Sequence, residues 1–139
     1  MKGSTDLPLL LSIIAIIIAG LAVFAGWPST KELDVDVTVI ANSKLMGFNA
    51  DNDALHFGAI PAGNSGMRTI ILKNENNFAE KVKLVGAGEV RGWLAFSEDN
   101  VILAPKENKT IEISLNVPAD AKLKQYSGKV RILNYRKWL

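Results

Sequence analysis

Hydrophobic residues follow two different patterns along the chain. Residues 7–25, LPLLLSIIAIIIAGLAVFA, are apolar apart from Ser12 and carry no charge. Further on, apolar and polar residues alternate, most clearly in LDVDVTV at 33–39 and in TIEISLNV at 110–117. After position 30 no stretch of ten or more residues shows the 3.6-residue period of an amphipathic helix. The sequence therefore predicts one apolar helix followed by β-strands.

The apolar run has the length of a membrane-spanning helix. At about 1.5 Å per residue it spans roughly 28 Å, close to the thickness of a bilayer core. Trp27 suits the lipid–water boundary, and Pro28 stops the helix. We predict a cytoplasmic N-terminus at 1–6, a transmembrane helix at 7–27 and a linker at 28–32.

Two fates of this helix fit the sequence. The tripeptide Val23-Phe24-Ala25 satisfies the small-x-small rule for signal-peptide cleavage before Gly26. However, the apolar run exceeds the usual 7–15 residues of a signal peptide, which favours a retained signal-anchor. Lys2 and the amine precede the helix, and Lys31 follows it, then Glu32, Asp34 and Asp36. The positive-inside rule then predicts a single pass through the plasma membrane, with residues 29–139 extracytoplasmic.

The remaining residues read as short strands separated by turn-forming residues. No disulfide or thiolate metal site is available, because the chain has no cysteine. About seven strands at roughly ten-residue spacing predict an all-β, antiparallel sandwich over 33–139. The alternating runs are 33–39, 54–57, 67–73, 80–85, 93–96, 100–103, 110–117 and 126–133.

Two segments carry a family resemblance. LHFGAIPAGNSGMRTIILKN resembles the opening of immunoglobulin-like modules related to major sperm protein and the ASPM/SPD-2/Hydin group. The matching residues are Phe57, Gly58, Pro61, Gly63, Arg68, Ile70, Leu72 and Asn74.

The second segment, GWLAFSEDNVILAPKENKTIEISLNVPADAKLKQYSGKVRI, resembles the second half of bacterial and archaeal extracellular immunoglobulin-like modules. Lys106 stands where those modules usually have glycine, and Lys124 replaces another glycine. The resemblance implies an immunoglobulin-like sandwich and says little about function, because this fold hosts many roles. The matches are Trp93, Leu94, Ser97, Leu103, Pro105, Pro118, Tyr126, Gly128 and Val130.

The sequence offers little catalytic chemistry. His56 is the single histidine, and its position in a strand favours an ordinary outward-facing residue over a metal ligand or base. Asp51-Asn52-Asp53 lacks the spacing of a calcium loop, and GAGEVRG at 86–92 lacks the ending of a phosphate loop. We therefore predict a protein that is not an enzyme and has no metal, other cofactor or small-molecule substrate.

Several residues are candidates for contact or modification. Asn108 begins an N-x-T sequon and is a possible glycosylation site. Trp93 suits either the edge of the core or a ligand-stacking platform, while Tyr126 resembles a tyrosine corner. The loop with Arg91 is expected to be flexible, and such loops often bind partners. The tail is basic and aromatic, which suits lipid headgroups or a partner subunit; it comprises Tyr135, Arg136, Lys137 and Trp138.

These features favour a membrane-anchored interaction module. A net charge of +2 is too small to indicate nucleic-acid binding. The expected layout is similar to archaeal cell-envelope and archaellum-stator subunits: a lipid-embedded helix and an extracytoplasmic domain that contacts a protein partner as a structural or accessory subunit. The alternative is a carbohydrate-binding module at the cell surface, with Trp93 against the sugar.

Overall fold

The computed structural model describes residues 6–25, 28–41 and 54–137. One helix, α1 (Asp6–Ala25), precedes the strands, and every side chain described in it is exposed. It is apolar on all sides, so it has no amphipathic stripe of the kind that packs a helix on a globular domain. Among the described residues it is the one helix long and apolar enough to cross a membrane, a test that signal sequences also pass.

Eight strands and one short 3₁₀ helix follow, and each of the eight alternating runs overlaps one strand, so the all-β expectation is confirmed. The strands form a five-stranded sheet, in the order β2-β1-β8-β4-β6, and a three-stranded sheet, in the order β3-β7-β5. Their bounds are β1 Ser29–Ile40, β2 Ala54–Pro61, β3 Ser65–Lys73, β4 Glu80–Gly88, β5 Leu94–Phe96, β6 Asn100–Leu103, β7 Asn108–Asn116 and β8 Gln125–Arg136, with the 3₁₀ helix at Arg91–Trp93.

The two sheets enclose one core made by alternating residues. In β7, Ile111, Ile113 and Leu115 are fully buried, whereas Glu112 and Asn116 face solvent. The same alternation in the five-stranded sheet adds buried valines and leucines to the same hydrophobic cluster. Period-two patterning therefore determines which face of each strand is buried.

The structure corrects two expectations about β1. Its pairing with β2 is parallel, with Asp34 opposite Ala54 and Ile40 opposite Pro61, whereas the other described pairs are antiparallel as predicted. Parallel neighbours require a long crossover, and the residues between β1 and β2 are numerous enough to supply one. In addition, β1 begins at Ser29, inside the predicted linker. Residues 29–32 are exposed on both faces, so no alternation marks them as strand, yet their backbone pairs with β8.

The sandwich has two distinct ends. Ser29 lies four residues after Ala25, the last residue of α1, and a chain of that length spans at most about 14 Å. We call the end where β1 starts the helix-side end and the opposite end the far end. Ser29 pairs with Asn134 near the close of β8, so the close of β8 lies at the helix-side end.

Candidate interaction surfaces

Trp93 packs at the far end of the sandwich. Its ring meets the Tyr126 ring edge-on, with centroids 4.6 Å apart and planes at 60°. The Trp93 side chain is half-buried against the hydrophobic core, while Arg91, two residues earlier, is exposed. Trp93 therefore contributes to core packing whether or not its exposed part also meets a ligand.

Tyr126 makes the hydrogen bond of a tyrosine corner, which its sequence context predicted. Its hydroxyl donates to the carbonyl of Lys122 at 2.9 Å. The Lys124 ammonium lies 4.5 Å from the ring centroid and 3.0 Å from the Glu89 carboxylate. That hydrogen bond from Lys124, together with one from the Ser127 amide, holds the pKa of Glu89 below its ordinary value.

The glycine-rich segment at 86–92 was expected to be a flexible loop, but part of it belongs to a strand and the rest packs against the core. Strand β4 continues to Gly88, and Val90 is fully buried. A Cβ on Gly128 would lie 2.5 Å from the Val90 side chain and 2.6 Å from the Ala87 carbonyl oxygen. Glycine at 128 therefore allows the segment to close against β8.

The basic tail residues lie at the opposite, helix-side end. Tyr135 is half-buried on β8, and the Arg136 guanidinium lies 4.2 Å from the centroid of the Phe78 ring. The Lys137 amide donates to the Ala79 carbonyl at 3.0 Å, which extends the contact between tail and loop. Trp138 lies outside the described residues.

The predicted interface residues therefore form two surfaces. Gly88, close to Arg91, pairs with Gly128, whereas Arg136 pairs with Glu80 at the other end of β4. The eight residue steps along β8 from Gly128 to Arg136 correspond to about 26 Å of strand. Among the described residues, Arg91 is therefore too far from Arg136 and Lys137 to share one contact surface with them.

Asn74, a residue of the resemblance motif, organises the helix-side end. Its side chain is buried, and its Nδ2 donates to the carbonyls of Phe78 at 2.8 Å, Ala104 at 3.0 Å and Leu103 at 3.3 Å. Its Oδ1 accepts a hydrogen bond from the Asn76 amide at 3.0 Å. Asn74 thus ties loop 74–79 to loop 104–107. Sequence reasoning placed it in the motif without assigning this role.

Asn108 is exposed, as glycosylation requires. It is the first residue of β7, opposite Lys73 of β3, and so lies at the helix-side end. A cleft of about 860 Å³ opens at the same end between the two sheets. Lys31, Leu72 and Asn134 are among the residues that line it.

The edge strand β3 carries exposed hydrophobic side chains. It is one of the two edge strands of the three-stranded sheet, the other being β5, and Met67 and Ile71 are 57% and 61% exposed on its outer face. Ile102 is 56% exposed on β6, at an edge of the other sheet. Strand edges with exposed apolar side chains are ready templates for another chain.

The structure pairs His56 with an unexpected partner. In the parallel β1–β2 ladder, Asp36 lies opposite His56, and its carboxylate contacts the His56 Nδ1. No group of three or more potential metal ligands occurs in the described ranges, and the predicted acidic turn at 51–53 lies outside them.

An ion-pair network covers the outer face of the five-stranded sheet. Glu32 accepts hydrogen bonds at 3.0 Å from both Lys129 and Arg131 of the neighbouring strand. These bonds, that of Lys129 first, hold the pKa of Glu32 below its ordinary value, and the same pairing raises the pKa of Lys129. The groups are exposed, so solvent screens the network.

In comparisons with known proteins, no family model matches this chain, and no curated protein shows significant similarity to it.

Proposed function

We propose that this protein is a membrane-anchored, non-enzymatic interaction module. The helix stays in the membrane as a signal-anchor, and the immunoglobulin-like sandwich faces the extracytoplasmic side. There it contacts a protein partner as an accessory or structural subunit of a membrane or cell-envelope complex, similar in layout to archaellum-stator subunits.

The observation that carries the proposal is the exposure of α1. Its large apolar side chains from Leu7 to Val23 are 43–71% exposed. A run of that kind is strongly unfavourable in water and favourable in lipid, at about 25 cal/mol per Å² of apolar surface. The helix also has the length of a bilayer span.

Protein contact is supported by the edge strand β3. It offers an unpaired row of backbone groups among the described strands, together with Met67 and Ile71. An extended segment of a partner that adds to this edge would gain backbone hydrogen bonds and bury both side chains.

The anchor is tested with the full-length chain in its own membranes. We expect the protein to resist alkaline extraction and its mature N-terminus to precede residue 7. A mature chain that begins at Gly26 would contradict retention. Because the chain lacks cysteine, Ser4→Cys and Asp120→Cys report orientation by labelling with an impermeant maleimide in intact cells. Only the second should react.

The contact surface is tested by affinity purification from mild detergent followed by mass spectrometry. We expect co-purifying subunits to be lost with Ile71→Lys, since a charge on the outer face of β3 blocks strand addition. The matched control is Ile102→Lys, which makes the same change at an edge of the other sheet. A monodisperse protein with no partner, or equal loss with both variants, would contradict this surface.

A further inference from the structure

We propose that the helix-side end of the sandwich is a second membrane-contact site, which binds the phosphate groups of anionic lipids. The inference rests on the proposed anchor, which would hold this end beside the bilayer. It goes further in assigning lipid recognition to the folded domain.

Exposed basic side chains converge at this end from separate parts of the chain. Lys31, near the start of β1, and Lys73, the last residue of β3, line the cleft. Lys106 lies in loop 104–107, Arg136 is the last residue of β8, and Lys137 follows it. The carboxylates nearest them are Glu75, Glu80 and Glu107: Glu80 is buried against Asn76, and Glu107 accepts the Ala104 amide at 2.6 Å. Two further carboxylates close to this end are already paired, Glu32 with Lys129 and Arg131 and Glu98 with Lys109. The exposed cations include Lys31, Lys73, Lys106, Arg136 and Lys137.

Lys106 is the most informative of these cations. It adopts φ 63°, the left-handed conformation, and is the one described non-glycine residue with positive φ. Glycine fits this position best, because it adopts positive φ without a steric cost. Here a lysine occupies the turn despite the strain, and its Nζ reaches the carbonyl of Glu75. A strained residue of this kind points to a function for its side chain. Lysine adds two features that glycine lacks: the bond to the Glu75 carbonyl and a positive charge in loop 104–107.

Aromatic residues lie among these cations. Phe78, near the end of loop 74–79, is half-buried beneath the Arg136 guanidinium, and Tyr135 is half-buried on β8. Aromatic rings mixed with lysine and arginine are the composition that proteins place at the lipid–water boundary. Asn74 fixes both loops, so the cations are presented on a rigid base.

The short connection to α1 makes the contact geometrically feasible. Ser29 is four residues from the end of the helix, so the start of β1 stays within about 14 Å of the helix terminus and this end of the domain is the one tethered beside the bilayer. Each basic residue near an anionic bilayer surface increases the ratio of docked to undocked domain about fivefold. The effect falls off within about one Debye length, near 8 Å at physiological salt.

The test uses the full-length chain in vesicles with a nitroxide on Asn77→Cys, an exposed position in loop 74–79. Two-component spectra give the docked-to-undocked ratio in neutral phosphatidylcholine vesicles and in vesicles with 30% phosphatidylglycerol, a chosen composition. A label on Asp120→Cys at the far end should remain in water in both. We expect docking in the anionic vesicles that 1 M salt reverses, since the Debye length is then about 3 Å.

Charge variants test the surface itself. Lys106→Gln with Lys137→Gln should lower the ratio about twenty-five-fold in anionic vesicles. Arg91→Gln with Lys122→Gln removes the same charge at the far end and should leave the ratio unchanged. Equal urea midpoints for the two double variants show that folding is not the cause.

The possible failures are distinct. A chain that floats with neutral vesicles in high salt but shows the same ratio with and without anionic lipid would overturn lipid docking alone. The docking proposal also fails if the far-end variant lowers the ratio as much as the helix-side variant. A chain that does not float with neutral vesicles would instead overturn the proposed anchor.

Discussion

Replacement of Asn74 should be among the most damaging single changes in the sandwich. Its amide group donates to three backbone carbonyls, those of Phe78, Leu103 and Ala104, and accepts one backbone amide, that of Asn76. The residue is 1% exposed, so water cannot readily replace these partners. In Asn74→Ala, the two loops at the helix-side end lose the side-chain part of their tie, while the backbone amide of residue 74 still donates to the Glu107 carbonyl at 2.9 Å.

The expected magnitude follows from these bonds. A buried hydrogen bond contributes about 0.5–1.5 kcal/mol net, and an acceptor left unsatisfied costs about 1–3 kcal/mol. The longest bond, at 3.3 Å, contributes least, and some of the freed carbonyls lie near solvent. We therefore expect Asn74→Ala to lower the free energy of unfolding by about 2–4 kcal/mol. Asn74→Asp should cost at least as much at neutral pH, because a carboxylate would then face carbonyl oxygens.

Urea denaturation of the full-length chain in detergent measures this effect. The control is Asn77→Ala, an exposed residue of the same loop that should change the free energy of unfolding by less than about 0.5 kcal/mol. If Asn74→Ala matches Asn77→Ala, the tie between the loops does not stabilise the fold and the reasoning is wrong.

Three other changes test particular contacts. Gly128→Ala should destabilise the fold by about 1–3 kcal/mol, because its Cβ meets the Ala87 carbonyl; Gly92→Ala, with open space around it, is the control in the same urea titration. Trp93→Ala should cost about 2–3 kcal/mol, less than a fully buried tryptophan. Loss of retention on a polysaccharide resin without loss of stability would instead support the carbohydrate-binding alternative. Glu32→Gln tests the ion-pair network by pH. Since the folded pKa of Glu32 is below its ordinary value of 4.5, its contribution is present above that pH and is lost as pH falls through the lowered pKa. The stability difference between wild type and Glu32→Gln should therefore be constant near neutral pH and shrink in acid; an unchanged difference at low pH would contradict the pairing.

Local patterning was enough to predict the class of fold. The uninterrupted apolar run at 7–25 predicted the helix, and alternation such as that around Ile111 and Ile113 predicted the strands and their buried faces. These features depend on near neighbours along the chain, which a sequence displays directly. The tyrosine corner at Tyr126 was also predictable, because its hydrogen bond spans only four residues.

Pairing between distant segments was decided only in the tertiary structure. Nothing local makes β1 parallel to β2, and so the contact of Asp36 with His56 was not predicted. The exposed start of β1 is strand because β8 pairs with its backbone, and backbone pairing leaves no trace in side-chain polarity. The role of Asn74 and the gathering of Lys106 with Arg136 likewise depend on loops that are far apart in sequence. Only the packing of the two sheets brings these loops to one end of the sandwich. The order of residues along the chain does not specify which distant segments will lie close together in space.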